Sequence, residues 1–300
     1  MRANTSSVLP TSGRPLLAPD AIPLPGFDVA ARNPNKSFPP RPPLKWAGGK
    51  RWLIPDLLRF WTYHSHRRLV EPFVGGLAVA LGLQPTTAVL NDANPHLIHF
   101  YRWLQKGLAV GDVSDFFCND REIYSHNRDR FNALIAEGAA STEIASLLFY
   151  YLNRTGFNGL CRFNARGFFN VPFGRYKTIA YKIDFSEYVP LLANYIFETG
   201  DFQRLMLRPT DFVYADPPYD VQFTSYAAGG FDWDDQVRLA NWLAAHPGPV
   251  VASNQATDRI LRLYGELGFC VTTLSAPRRI SCDGNREEAS EMLAHKNLNL

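Results

Sequence analysis

The 300-residue sequence has few cysteines: only Cys118, Cys161, Cys270 and Cys282, far apart and with no Cys-x-x-Cys pair. That spacing excludes a cysteine-based zinc site and a disulfide scaffold, and fits a reducing, cytoplasmic setting. No apolar run approaches the ~18–20 residues of a membrane-crossing helix, and the first residues lack the apolar centre of a signal peptide. The formal net charge is only +3, so the whole-chain charge names no partner and local charge must be read instead. There is no Gly-x4-Gly-Lys-Ser/Thr phosphate loop. The most informative absence is local: no Asp or Glu lies between Glu143 and Asp184.

That acid-free segment carries Arg154, Arg162, Arg166, Arg175, Lys177 and Lys182. Phe157, Phe163, Phe168, Phe169, Phe173 and Tyr176 alternate with them, as do Asn153, Asn158, Asn164 and Asn170. A basic run alone is usually a solvated face. Arginines that pair with phosphate, amides that read base edges and rings that stack on bases together favour nucleic acid. With four glycines among them, residues 150–182 read as loop-like.

The strongest chemical signal lies further on, at Asp211-Phe-Val-Tyr-Ala-Asp216-Pro-Pro-Tyr219. Phe212, Val213 and Tyr214 suit a buried strand. Pro217 and Pro218 lack the N–H that a ladder requires, so the strand ends at Asp216. The result is a stiff loop holding one carboxylate, free carbonyls and one ring, at the strand end where open α/β sheets bind ligands.

Upstream, Leu69–Leu81 reads as strand, Gly75-Gly76 turn and small apolar helix. A second strand, 88–92, then closes on Asp92. A glycine turn alone is common. With an acid ending the next strand it matches the ribose-binding arrangement of nucleoside-cofactor folds. Lys45-Trp-Ala-Gly-Gly-Lys50 is a tight turn before a helix over Trp52–Trp61 that could receive an anion. Helical stripes run from Asn94 to about Ala145, and 191–198 also reads as helix. The histidines His96, His99 and His126 are assigned no role. After Asp220–Gly230, a loop with Phe223, Thr224 and Tyr226, come an Asp232-capped helix, a strand at 249–254, a helix at 257–267 ending at Gly268, and a strand at 269–274. Strands alternating with helices predict an α/β fold with a mostly parallel sheet. Residues 1–40, rich in Pro, Ser, Ala and Asn, predict a disordered tail.

Together these blocks resemble the Dam-type DNA adenine methyltransferases. They comprise Lys-Trp-Ala-Gly-Gly-Lys at 45–50, Glu-Pro-Phe-Val-Gly-Gly at 71–76, Asn91-Asp92, and Tyr-Leu-Asn-Arg-Thr-Gly-Phe-Asn-Gly-Leu-Cys-Arg at 151–162. Phe-Asn-Val-Pro-Phe-Gly-Arg-Tyr at 169–176, Asp-Pro-Pro-Tyr at 216–219 and Arg278-Arg279-Ile280-Ser281 complete the series. The resemblance covers about residues 43–295. It implies a Rossmann-like, S-adenosylmethionine-dependent methyltransferase sheet with an inserted, mainly helical target-recognition domain. The domain boundaries become 1–40 (tail), 41–93 (first catalytic part), 94–182 (target recognition) and 183–300 (second catalytic part).

By the same resemblance, Asp216, Pro217, Pro218 and Tyr219 are catalytic. Trp46, Lys50, Phe73, Gly75, Asp92 and Asp216 hold the cofactor, and Lys45, Asn158, Leu160, Arg162, Arg175 and Tyr176 touch DNA. Duplex DNA is the expected partner, GATC the expected site, with no metal, no membrane, and a monomeric, cytoplasmic protein encoded by a bacterium or phage. One departure stands out: many relatives carry Gly-x-Gly in the cofactor loop, whereas here Gly75-Gly76 is followed by Leu77. Arg278 and Arg279 read equally as a DNA contact or as solvated charges. The rival readings are methylation of another amino group, a non-catalytic DNA-binding module, and a plain nucleotide-binding α/β enzyme.

Overall fold

Alternation along three central strands sets the architecture. In the computed structural model, which describes residues 39–111, 117–220, 230–276 and 289–298, these strands are β1 (Leu69–Glu71), β4 (Phe212–Ala215) and β5 (Val250–Gln255). Leu69, Phe212, Tyr214 and Val251 face one apolar core. Val70, Val213, Ala215, Val250 and Ala252 face a second. Successive side chains of a strand point to opposite faces, so strands with apolar residues on both faces can be satisfied only by cover on both sides.

That cover comes from helices. The first core receives α1 (Ile54–His64), α2 (Ala78–Leu83), α3 (Pro95–Lys106), α4 (Arg121–Ala136) and α5 (Glu143–Thr155). The second receives α7 (Trp233–Ala244) and α8 (Asp258–Glu266). Short side chains start the helices: Asn94 accepts from two amides of α3, Asp120 from two of α4, and Thr142 and Thr257 cap α5 and α8. Asp232 and Asp235 form a reciprocal capping box on α7, as their spacing predicts.

The sheet has seven strands in the order β3-β2-β1-β4-β5-β7-β6, with β2 at Ala88–Asp92, β3 at Tyr195–Thr199, β6 at Cys270–Ala276 and β7 at Ala289–Lys296. β3, β2, β1, β4 and β5 run parallel; β7 is antiparallel to both β5 and β6. The order reverses between β1 and β4, the switch point where ligands bind in doubly wound sheets. The fold is therefore a mixed α/β fold of the doubly wound, Rossmann-like type.

Two local expectations are corrected. Residues 191–198 are not one helix: α6 (Tyr188–Leu192) stops and β3 begins at Tyr195. Tyr195 and Phe197 are buried while Ile196 is exposed, so pairing with β2 imposes a period of two on a stretch whose apolar run also fits a helix. Residues 150–155 are not loop but the buried last turns of α5, which ends at Gly156. The Phe223–Tyr226 loop, Arg278, Arg279, Ile280, Ser281 and the segment before Pro39 lie outside the described residues.

Candidate active site

β1, β2 and β4 end side by side, and the chain leaving each supplies one wall of the site. Asn91, buried in β2, donates from its amide to the carbonyls of Pro72 and Gly200, each at 2.9 Å. The Asn91 backbone carbonyl accepts from Val74 N–H at 2.7 Å. One side chain thus ties the loops after β1 and β3 to β2.

The first wall is the turn after β1. Gly75 has φ +44°, and a Cβ there would lie 2.7 Å from Nε1 of Trp46; one on Gly76 would lie 2.8 Å from the Trp46 Cβ. The Trp46 side chain therefore packs closely against a backbone that only glycine permits. Asp92 closes the turn: one carboxylate oxygen accepts from Gly75 N–H at 3.1 Å and the other from Asn94 N–H at 2.9 Å. Tyr101 donates to the Gly75 carbonyl at 2.5 Å. Burial pushes the Asp92 carboxyl up to about 6 against the pull of those two amides. Leu77 is fully buried and left-handed at φ +65°. Phe73 turns the other way and packs at 5.7 Å from Phe202 and edge-on to Phe231.

The second wall is the loop after β4. Asp216 forms an ion pair with Lys50 at 2.9 Å and accepts from Ser253 Oγ at 2.9 Å. Ser253 has spent its only proton on Asp216, so its 2.8 Å contact with Tyr214 is a bond donated by the Tyr214 hydroxyl. Lys50 is only 3 % exposed. It also donates to the Gly48 carbonyl at 3.0 Å and to the Tyr219 hydroxyl at 2.6 Å, and lies 3.8 Å from Glu291. Tyr219 donates to Glu291 in turn. Glu71 is buried beside Asp216, with one carboxyl oxygen lacking a hydrogen-bond partner.

Two carboxyls, Asp216 and Glu291, thus face one ammonium, and a third, Glu71, lies beside Asp216. Burial raises all three above the ordinary carboxylate range, Glu71 most strongly, with Lys50 pulling Asp216 and Glu291 back. Such a cluster favours a further positive charge. Among the described residues, no group of three or more His, Cys, Asp or Glu side chains could hold a metal ion.

The predicted DNA-side residues fall into two groups on the segment after α5. Asn153 exchanges backbone bonds with Lys45, accepting from its N–H and donating to its carbonyl, both at 2.8 Å. The Lys45 ammonium reaches the Arg154 carbonyl at 2.9 Å and lies 3.5 Å from the Tyr176 ring centroid. Burial and the Arg154 charge lower its pKa to about 8. Asn158 has φ +53° beside the half-exposed Phe157, and Arg175 is exposed at φ +50°.

The second group is a small hairpin, 162–170, closed by Phe163 opposite Phe169. Arg162 is exposed, and its guanidinium is held by the Asn170 side chain at 2.8 Å and the Asn170 carbonyl at 3.1 Å. Phe163 stacks on His96 at 4.7 Å, and burial lowers that imidazole to about 4. His96 is thus a packing residue of the hairpin base. Leu160 packs against the first core.

Ser253, Glu291 and Tyr101 were not singled out from sequence, and Glu71 and Asn91 stood in the quoted blocks with no role assigned. Ser253 and Asn254 had a signal, being polar residues that end an apolar strand. Glu291 had none, because its segment carries no motif.

Residues 46–276 match the D12 class N6 adenine-specific DNA methyltransferase family. The DNA adenine methylase of Vibrio cholerae is 36% identical over 269 residues, 84% of this chain and 94% of its own. That of Escherichia coli K12 is 34% identical over 277 residues, 87% and 95% of the two chains. A type II methyltransferase of Lactococcus lactis is 35% identical over 218 residues, 66% and 74%. With such matches over most of its length, the chain belongs to the D12 class N6 adenine-specific DNA methyltransferases and is an adenine-specific DNA methyltransferase.

Proposed function

We propose that the chain transfers the methyl group of S-adenosylmethionine to the N6 amino group of adenine in duplex DNA, at GATC, on a base flipped into the Asp216–Tyr219 loop. The observation that carries this reading is the clamped Asp216 carboxylate, set at the end of β4 beside the glycine turn of β1. The site residues suit the donor. Trp46 over a Cβ-free Gly75-Gly76 backbone leaves a flat apolar edge. Asp92 offers acceptors for ribose hydroxyls, and the Asp216 and Glu291 carboxyls sharing the single Lys50 ammonium suit a further cation. When bound, S-adenosylmethionine supplies a methyl group activated on a positively charged sulfur.

The chain's own part is positioning and charge stabilisation. The adenine amino nitrogen is a poor nucleophile because its lone pair is delocalised into the ring. Asp216 and the Pro217 carbonyl accept the two amino hydrogens, draw the nitrogen towards tetrahedral geometry and stabilise the positive charge that develops there. Lys50 now occupies one Asp216 oxygen. It has Tyr219 and Glu291 within reach, so it releases that oxygen to the amino group without losing all its partners. The Tyr219 ring stacks on the flipped base. Lys45, Asn158, Leu160, Arg162, Arg175 and Tyr176 engage the duplex, with Arg162 pre-set by Asn170 to read a base edge.

Asp216→Ala is expected to lower methyl transfer by at least about 10²–10³-fold while duplex binding persists; normal turnover would sink the assignment. Single-molecule sequencing of DNA from cells expressing the chain tests the rest. Modified adenine in GATC is expected, and modified cytosine or a different site would overturn that part.

A further inference from the structure

α7 turns an apolar face to the second core through Leu239, Ala240 and Leu243, but places Gln236 on the same face, 1 % exposed. Its amide nitrogen donates to the Pro218 carbonyl at 2.8 Å. Its amide oxygen accepts from Asn254 Nδ2 at 2.9 Å, and Asn254 Oδ1 accepts from Gln255 N–H at 2.8 Å. The direction of every bond follows from the first. A backbone N–H of β5 fixes which end of Asn254 is the acceptor, that fixes which end of Gln236 accepts, and the remaining end can only donate to Pro218. Asn254 and Gln236 are both buried, so neither side chain can exchange its partner for water.

We infer that Gln236, oriented by Asn254, is a positioning residue for the acceptor loop Asp216–Tyr219; the inference rests on the proposed role of that loop in methyl transfer. Pro217 and Pro218 have no N–H, so within that dipeptide the carbonyls are the only backbone groups that can be gripped. Their rings fix two φ angles. Gln236 fixes the peptide plane after Pro218, and Ser253 with Lys50 fixes the Asp216 carboxylate before Pro217. The Pro217 carbonyl lies between the two clamps, so its direction is set by them. Ser253 and Asn254 are adjacent on β5 and point to opposite faces, which lets one strand hold the loop from both sides.

The test compares Gln236→Met/Asn254→Leu with the parent chain. Removing both amides takes partners only from the Gln255 N–H and the Pro218 carbonyl, on residues that solvent reaches, so the fold is expected to persist. Thermal melting, affinity for S-adenosylmethionine and affinity for a GATC duplex are expected to change little, KM to hold, and kcat to fall by at least ~10-fold as the acceptor loses its direction. Gln236→Glu, which keeps the shape but turns a carboxylate oxygen on the Pro218 carbonyl, is expected to show the same loss of kcat. A folded double variant or a folded Gln236→Glu with parental kcat overturns the inference. Asp216→Ala, assayed beside them, separates the two levels. Turnover by that variant removes the loop from the chemistry and this inference with it. An inactive Asp216→Ala beside a fully active double variant overturns the positioning role alone.

Discussion

At the scale of single residues, the site is governed by how little positive charge faces its buried carboxyls. Asp216 must be ionised to accept from an amino group, yet burial raises its pKa, with Lys50 the main force opposing that rise. Lys50→Met therefore pushes Asp216 up further. The acid limb of the kcat–pH profile is expected to move to higher pH; an unmoved limb would show that Asp216 ionisation does not depend on this ammonium. Asp92 offers a stability test. Its folded value of about 6 lies above the ordinary 3.8, so its favourable contribution is full below the lower value and is lost as pH rises through about 6. Asn cannot titrate. The melting temperature of Asp92→Asn minus that of the parent is accordingly expected to climb between about pH 4 and 6 and level off above; a flat difference would contradict the raised carboxyl. Asp216, Gly75 and Asp92 were all legible as chemistry in the sequence. Their partners were less so: the acid-free segment and the Asp-Pro-Pro-Tyr loop announce themselves by composition, whereas Glu291 becomes meaningful only when β7 places it against Tyr219.

At the scale of elements, the turn from β1 into α2 decides what the Gly75-Gly76-Leu77 departure means. Leu77 adopts the left-handed conformation that glycine takes without strain, at a cost of ~1–2 kcal/mol. Its side chain is fully buried in the first core, and removing a buried leucine side chain costs about 2–5 kcal/mol. Burial outweighs strain, so Leu77→Gly is expected to destabilise the fold by about 2 kcal/mol, read as an earlier urea midpoint. An unchanged or later midpoint would mean that the strain is the larger quantity. The helix starts at Asn94, Asp232 and Thr257 were readable because these residues act on neighbours a few positions away, whereas the start of α5 at Thr142 was not read. β3 was not, because its alternation is imposed by pairing with β2.

At the scale of the whole molecule, one segment links the two proposed halves of the reaction. Lys45 is bonded to the last turn of α5, and Lys50, five positions on, is bonded to Asp216. The net charge of +3 is small, so duplex affinity is expected to come from the local basic face and to fall steeply with salt. Arg175→Ala is expected to weaken binding on all sequences and reduce the slope of log K against log salt by about 1. Arg162→Ala is expected to leave that slope nearly unchanged and cost about 1–3 kcal/mol of discrimination between GATC and a one-base variant. Equal effects of both variants on cognate and altered duplexes would remove the distinction between phosphate and base contacts.

Local chemistry was decided by the sequence alone. Pro217 and Pro218 stop a strand wherever they are placed, Asp232 and Asp235 cap a helix by spacing, and an acid-free run of Arg, Asn and aromatic residues is a property of composition. The fold class followed from the same short-range rules, because strands alternating with helices along the chain lead to a mostly parallel sheet. Tertiary structure decided everything that depends on residues far apart in the chain meeting at one point. It inserted β7 between β5 and β6, turned 195–199 into an edge strand, assembled Lys50, Asp216, Tyr219, Ser253 and Glu291, and ran a chain of amides from β5 through Gln236 to Pro218. The physical reason is range. Caps, turns and periodicity act over a few residues, whereas a buried ion pair or amide chain exists only once the sheet has brought its members together and excluded water from between them.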